Sequence, residues 1–154
     1  MNNAPSIRQQ QGATLIEVLI AVVVLSIGLL GLAGLQVTSV QSNHSAYQRS
    51  QASLLASDLA DRMRANRTQA LTNAYVADYA TSSSSNNVSG TRAQKDLAEW
   101  LNNLALKLPD GQGKVEKNGS LVTIHVRWND NRGRIKKSDN ADAGTETFTY
   151  RTEI

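Results

Sequence analysis

The chain begins with a short polar segment, continues with a strongly apolar stretch, and then carries mixed apolar and polar positions. Residues 18–35 contain no charged side chain. As an α-helix, this run would be about 27 Å long, close to the roughly 30 Å hydrocarbon core of a bilayer. We therefore predict a membrane-spanning helix over residues 13–35. Arg8, which precedes it, predicts a cytoplasmic N-terminus and an exported remainder.

A helical pattern continues beyond the apolar stretch. Apolar and bulky residues recur there at three- and four-residue spacing, which is typical of an amphipathic helix. The pairs Asp58–Arg62 and Asp61–Arg64 place acid before base at helical spacing. We therefore predict that the helix continues over residues 36–67. The residues assigned to its buried face are Val37, Val40, His44, Tyr47, Gln51, Leu55, Leu59 and Met63.

The pattern over residues 68–154 predicts a small globular head with a helix and strands. The predicted fold class of the whole chain is therefore α+β. A second helix fits residues 91–108, where apolar residues recur with helical spacing before the stop signal Pro109-Asp110-Gly111. A small antiparallel sheet packed on the C-terminal half of the long helix would cover the apolar faces. The apolar stripe of the second helix is Ala93, Leu97, Trp100, Leu101, Leu104 and Leu108.

Two-residue alternation after the second helix predicts strands. Asn118-Gly119, between residues 114–117 and 120–128, is a strong short hairpin signal. Residues 145–154 alternate again after a polar loop over residues 129–144. We expect both tryptophans of the chain to be buried. The strand residues predicted to face the core are Val122, Ile124, Val126, Trp128, Phe148, Tyr150 and Ile154.

One carboxylate stands at the start of the apolar stretch. Glu17 follows Gly12-Ala13-Thr14-Leu15-Ile16, and a charge at the centre of a membrane costs about 2.5–3.5 kcal/mol, less near an end. In a helix that begins at Ala13, Glu17 lies about 6 Å from the first residue. The amino group of a neighbouring chain could neutralise it in a bundle of parallel helices. The alternative is an interfacial side chain that faces the lipid headgroups.

These residues resemble the start of type IV prepilins and pseudopilins, which have a leader ending in Gly, an apolar or aromatic first mature residue, and Glu at the fifth mature position. Gly12, Ala13 and Glu17 match this pattern, with Ala13 in place of the more usual Phe. The resemblance implies that residues 1–12 are a leader, that a prepilin peptidase cleaves after Gly12, and that Ala13 is then N-methylated. It also implies that Glu17 aligns an incoming subunit on the previous one.

Two further segments, residues 26–36 and 58–67, are similar to minor pilins of the PilV type. This similarity implies a type IV pilin fold and assembly with other minor pilins, the major pilin and the inner-membrane assembly platform. It implies a single-pass anchor in the inner membrane with an exported head. It further implies a later position on the pilus, near the tip, where the subunit primes or supports assembly.

Little in the chain favours catalysis or a bound metal. The absence of Cys excludes disulfides, thiolate zinc ligands and a Cys nucleophile. No Ser/His/Asp set and no phosphate-binding glycine loop are evident, and His44 and His125 lie far apart in the sequence. We therefore expect a structural protein, not an enzyme, with no catalytic residue, cofactor or metal.

Two loop features are interpreted as solvated surface. Residues 139–144 suggest a calcium loop but lack the ligand spacing of an EF-hand. The densest basic cluster contains no aromatic residue that could stack on bases, so we do not expect nucleic-acid binding despite the net charge of +3. This basic cluster consists of Arg132, Arg134, Lys136 and Lys137.

The sequence is compatible with two other functions. A pseudopilin of a type II secretion system would share the leader and the helix, although residues 29–36 and 58–67 favour the pilus. A secreted enzyme, or a secreted or anchored binding protein, would use an ordinary signal peptide with cleavage near Gly31-Leu32-Ala33. Glu17 and the helical pattern after Leu35 argue against that second alternative.

Three glycines, Gly28, Gly31 and Gly34, lie within the predicted membrane helix. Each costs about 1 kcal/mol relative to Ala inside a helix. One interpretation is a weak section that bends or unwinds when the subunit packs in a filament. The other is that small residues allow neighbouring helices to approach closely.

Overall fold

The computed structural model describes residues 14–79, 86–131 and 144–154. They belong to two compact units, Met1–Ser39 and Val40–Ile154. Predictions on the leader, on Ala13, on the basic cluster and on residues 139–143 lie outside the described residues. The elements in chain order are α1 (Leu15–Ala65), α2 (Arg67–Leu71), α3 (Arg92–Lys107), β1 (Gln112–Asn118), β2 (Leu121–Asn129) and β3 (Thr145–Glu153).

The predicted α+β architecture is confirmed. A long N-terminal helix, whose first part is apolar, is followed by two shorter helices and then by a small antiparallel sheet. The strand order is β1-β2-β3, and both neighbouring pairs are antiparallel. The core of the second unit combines residues from α1, α3 and all three strands, so the sheet covers the apolar sides of two helices.

The end of α1 differs from the prediction. The helix ends at Ala65, not at residue 67. Asn66 has φ −117° and ψ 47°, outside the helical region. Its side-chain amide donates hydrogen bonds to Tyr75 Oη and Gln69 Oε1, both at 3.0 Å. The predicted end was wrong because Asn66 leaves the helix and uses its side chain to hold the segment that follows.

The buried face of α1 in the second unit contains small residues between the large ones. Predicted positions Leu55, Leu59 and Met63 are buried, whereas other predicted positions are exposed. The prediction relied on large residues and therefore missed Ala52, Ala56 and Ala60, which are buried in the core. The buried residues are Gln48, Ala52, Leu55, Ala56, Leu59, Ala60 and Met63. The exposed predicted residues are Val37, Val40 and Tyr47.

Helix α3 begins with a capping box. Thr91 Oγ1 accepts from the Gln94 backbone N–H at 3.4 Å, and Gln94 Oε1 accepts from the Thr91 N–H at 2.9 Å. Along the buried side of α3, Trp100 is fully buried and its Nε1–H donates to the Leu55 carbonyl at 3.0 Å. Trp128 on β2 is also buried, so the expectation for both tryptophans is confirmed.

The β1–β2 hairpin turns one residue later than predicted. Asn118 pairs with Leu121, so the two-residue loop is Gly119-Ser120 instead of Asn118-Gly119. Gly119 has φ +63°, a conformation that favours glycine at the first loop position of a type II′ turn. The register of the hairpin therefore follows from the positive φ of Gly119 at the first loop position, which the Asn118-Gly119 pair alone did not predict.

A charged network joins α1 to α3. Arg62 lies 3.0 Å from Asp58, 2.6 Å from Glu99 and 3.5 Å from Asp96. The buried Asp96 also accepts from Tyr75 Oη at 2.6 Å. Burial, followed by this hydrogen bond, raises the pKa of Tyr75 to about 12. The hydrogen bond to Glu99, helped by Asp58 and Asp96, raises the pKa of Arg62, so the guanidinium keeps its charge at neutral pH.

Candidate functional site

The predicted assembly residue Glu17 lies in the first turn of α1 and is exposed. Thr14 directly precedes the helix, and its carbonyl accepts from the N–H groups of Glu17 at 3.0 Å and Val18 at 3.2 Å. Thr14 Oγ1 also accepts from the Glu17 N–H at 3.4 Å. Thr14 therefore caps the helix, and Glu17 lies where a carboxylate interacts favourably with the positive end of the helix dipole.

Thr14 was not identified from the sequence. The signal that could have found it is the Thr-x-x-Glu spacing of Thr14 and Glu17, which is typical of a helix start. Of the residues predicted to take part in cleavage and methylation, Gly12 and Ala13 lie outside the described residues. Thr14 fixes where the helix begins, three residues before Glu17.

The surface of α1 in the first unit is apolar and has no internal partner. Residues 15–39 are all exposed within the chain. Over the described residues, one helix, Leu15–Ala65, is long and apolar enough to cross a membrane by length and composition. Two of its hydroxyls donate to the carbonyl four residues earlier, Ser26 to Val22 at 2.7 Å and Thr38 to Gly34 at 3.1 Å. These bonds satisfy polar groups within the helix, as a lipid environment requires.

The three glycines of the apolar segment lie in continuous helix. A Cβ atom built on Gly28, Gly31 or Gly34 meets nothing within 4 Å. No contact with the described residues therefore requires glycine at these positions. Bending in a filament and close helix approach both stay predictions. Both explain the glycines by contacts with other subunits.

The two histidines have separate surroundings. His44 Nε2 lies 2.9 Å from Gln48 Nε2. His125 Nε2 lies 3.3 Å from Glu116 Oε2, and hydrogen bonding from Lys114, then from His125, lowers the pKa of Glu116. In residues 14–79, 86–131 and 144–154, no group of three or more His, Cys, Asp or Glu side chains could hold a metal ion.

Two adjoining parts of the chain match known protein families. Residues 7–33 match the prokaryotic N-terminal methylation motif, and residues 34–101 match the family described as type IV pilin Tt1218. Neither the curated proteins nor the solved structures gave a significant match. The first match contains Gly12, Ala13, Thr14 and Glu17.

The chain is therefore similar to type IV pilins over residues 34–101 and carries a prokaryotic N-terminal methylation motif over residues 7–33. The long apolar helix with a small three-stranded antiparallel sheet agrees with the type IV pilin fold. This class implies membrane association through the apolar helix and assembly with other pilins into a pilus.

Proposed function

We propose that this chain is a minor pilin of the PilV type, which joins other minor pilins to prime or support the assembly of a type IV pilus near its tip. In this proposal, a prepilin peptidase removes residues 1–12 and Ala13 is N-methylated. The similarity of residues 26–36 and 58–67 to PilV-type minor pilins supports the finer assignment. The methylation motif over residues 7–33 supports the processing steps.

The observation that carries this proposal is the exposed carboxylate of Glu17 at the start of an exposed apolar helix. Removing an ion from water costs several kcal/mol unless an opposite charge accompanies it. The N-terminal amine of a neighbouring processed chain supplies that charge at the same end of a parallel helix. The pair stabilises the bundle and fixes the axial register of one subunit against the next.

The test separates processing from assembly by replacing Glu17 in cells. Glu17→Ala and the isosteric Glu17→Gln both remove the negative charge, and Asp61→Asn, an exposed head carboxylate, is the matched control. Mass measurement of the mature N-terminus should find Ala13 first in all variants. Electron microscopy should show fewer surface pili in both Glu17 variants and normal numbers in the control.

Three results would contradict parts of this proposal. Normal piliation by cleaved Glu17 variants would show that the carboxylate does not guide assembly. A mature N-terminus near Gly34 would indicate an ordinary signal peptide and a secreted protein. Normal pili but failed protein secretion, in a strain that lacks this chain, would identify a type II secretion pseudopilin instead.

We also propose that the anchor lies in the inner membrane, with the head exported, and that the protein has a structural role without catalysis. Arg8 ahead of the apolar stretch supports this orientation, because positively charged residues favour the cytoplasmic side. Protease added to spheroplasts should degrade the head of the membrane-bound chain. A protected head would reverse the proposed orientation.

A further inference from the structure

A polar cluster lies on the core side of α1 at the start of the second unit. At about 100° per residue, Gln41, Ser45 and Gln48 lie on the same side of the helix as the buried Ala52 and Leu55. The core face of α1 thus changes from apolar to polar towards residue 41. We call the polar cluster the following buried and half-buried residues, in which Ser45 contacts Asp130 and His44 contacts Gln48: Gln41, His44, Ser45, Gln48, Trp128 and Asp130.

Asp130 brings the end of β2 onto this part of the helix. Its Oδ2 accepts a hydrogen bond from Ser45 Oγ at 2.7 Å. Ser45 lies four residues after Gln41 and three before Gln48, which places all three side chains side by side on the helix surface. The backbone N–H of Asp130 donates to the Gly144 carbonyl at 2.6 Å, which holds Asp130 in place.

The hydrogen bonding of the polar cluster is incomplete. Among the residues that the structure describes, the buried side-chain atoms without a partner are Gln41 Oε1, Gln48 Oε1, Trp128 Nε1 and Asp130 Oδ1. All four belong to the polar cluster, and three of them are acceptor oxygens. Because the Gln48 amide nitrogen lies against His44 at 2.9 Å, its oxygen is the unused end of that side chain.

The buried carboxylate of Asp130 is the second unusual feature of the polar cluster. The residue is 3% exposed, and no Lys or Arg of the described ranges forms a salt bridge with it. Burying a carboxylate without an opposite charge is costly. A cation that coordinates several oxygen atoms would neutralise Asp130. It would also bind the free side-chain oxygens of both glutamines.

We propose that the polar cluster is a binding site for a hard divalent cation, Ca²⁺. Calcium accepts carboxylate oxygens, amide oxygens and water in flexible geometry, which suits one carboxylate and two glutamine oxygens. The ligands from the chain are Asp130 Oδ1, Gln48 Oε1 and Gln41 Oε1. With one charged ligand, the Kd should fall in the range of about 10⁻⁴–10⁻³ M that is typical of extracellular calcium modules.

The ion would link α1 to the end of β2 without being required for folding. Leu55, Leu59 and the strand residues already form a buried core on one side of the cluster. This inference therefore concerns a site outside the N-terminal motif and stands independently of the proposed assembly function. It also differs from the calcium loop considered over residues 139–144, because its ligands come from α1 and Asp130.

Terbium luminescence tests the site in the full chain, purified in detergent. Tb³⁺ replaces Ca²⁺ at oxygen sites, and excitation of Trp128 in the same cluster should sensitise its emission. We expect saturable emission that millimolar Ca²⁺ displaces and that equal Mg²⁺ displaces less, because Mg²⁺ demands octahedral geometry and keeps its water. Asp61→Asn, which changes an exposed carboxylate, should leave the signal unchanged.

Two variants make the outcome decisive. Asp130→Asn can still accept from Ser45 but lacks the charge, so saturable emission should disappear. Gln41→Leu, at a half-buried position, should weaken Ca²⁺ competition several-fold. Far-UV circular dichroism checks that each variant folds. If Asp130→Asn does not fold, the result for Gln41→Leu decides whether the site exists. If the cluster holds only water, the protein will give no saturable emission. If the folded variants give the same emission as the unchanged protein, the ion binds elsewhere. Either result overturns the proposal.

Discussion

The two compact units of the chain use apolar residues in opposite ways. In the first, residues 15–39 are helical, largely apolar and exposed. In the second, large apolar side chains such as Leu59, Trp100 and Ile124 are almost completely buried against one another. The second unit has its partners inside the chain, whereas the first requires partners that the chain does not supply.

This difference separates what the chain does alone from what it does in an assembly. Substitutions in the second unit should change the free energy of unfolding of the isolated protein. Substitutions in the first should leave that quantity nearly unchanged and act on membrane insertion or pilus assembly. Matched pairs of the same substitution, one in each unit, therefore test the comparison directly.

The largest contrast is expected for leucine truncation. Leu59→Ala removes a fully buried side chain from the core of the head and should lower the free energy of unfolding by about 2–5 kcal/mol. Leu30→Ala, at a position 73% exposed within the chain, should have little effect on the detergent-solubilised protein. Urea denaturation followed by tryptophan fluorescence measures both. Equal losses in the two variants would mean that α1 of the first unit is part of the cooperative fold.

Much of the fold could be predicted because its patterns are local. The alternation of Val122, Ile124 and Val126 in β2 and the spacing of Trp100 and Leu104 in α3 have plain periods of two and of three to four residues. The face of α1 was harder to predict because Ala52 and other alanines give little hydrophobic signal. Their burial depends on the core residues of α3 and the strands, which are distant in the sequence.

The candidate sites show the same division. Glu17 was recognisable because a charge beside an uninterrupted apolar run is conspicuous in the sequence. The polar cluster was not, because Gln41 and Ser45 resemble ordinary polar helix residues. Only the fold brings Asp130, 85 residues after Ser45, into hydrogen-bonding distance.

Glycine substitution should show the next largest contrast. Gly113 on β1 lies against the ring of Trp100, so a Cβ there collides with the buried indole. Gly113→Ala should therefore destabilise the head by about 1–3 kcal/mol through overpacking. Gly31→Ala meets open space in the isolated chain and should instead stabilise its helix by about 1 kcal/mol.

Thermal denaturation should show a lower midpoint for Gly113→Ala only. Far-UV circular dichroism should show equal or higher helix content for Gly31→Ala, because its effect is confined to the helix of the first unit. Pilus counts then distinguish the two interpretations of Gly31. Reduced piliation by Gly31→Ala, with normal membrane insertion, would show that the filament requires bending or close approach there. A stable Gly113→Ala head would show that Trp100 has room to move.

The smallest expected effect is the alkaline titration of Tyr75, which is buried in the head, in contrast to Tyr47, which is 60% exposed. Burial and the hydrogen bond to Asp96 raise the pKa of Tyr75 from 10.0 to about 12. Because the folded state favours the protonated phenol, this contribution to stability is complete below about pH 10 and is lost as pH rises through about 12. Phenolate absorbance of the folded protein should therefore show a late ionisation step near pH 12, and Tyr75→Phe should abolish that step. The variant should also be less stable at neutral pH by about 1–3 kcal/mol, because Asp96 loses a buried donor. If the late step persists in Tyr75→Phe, a different phenol is the protected one, and the bond between Tyr75 and Asp96 does not hold in solution.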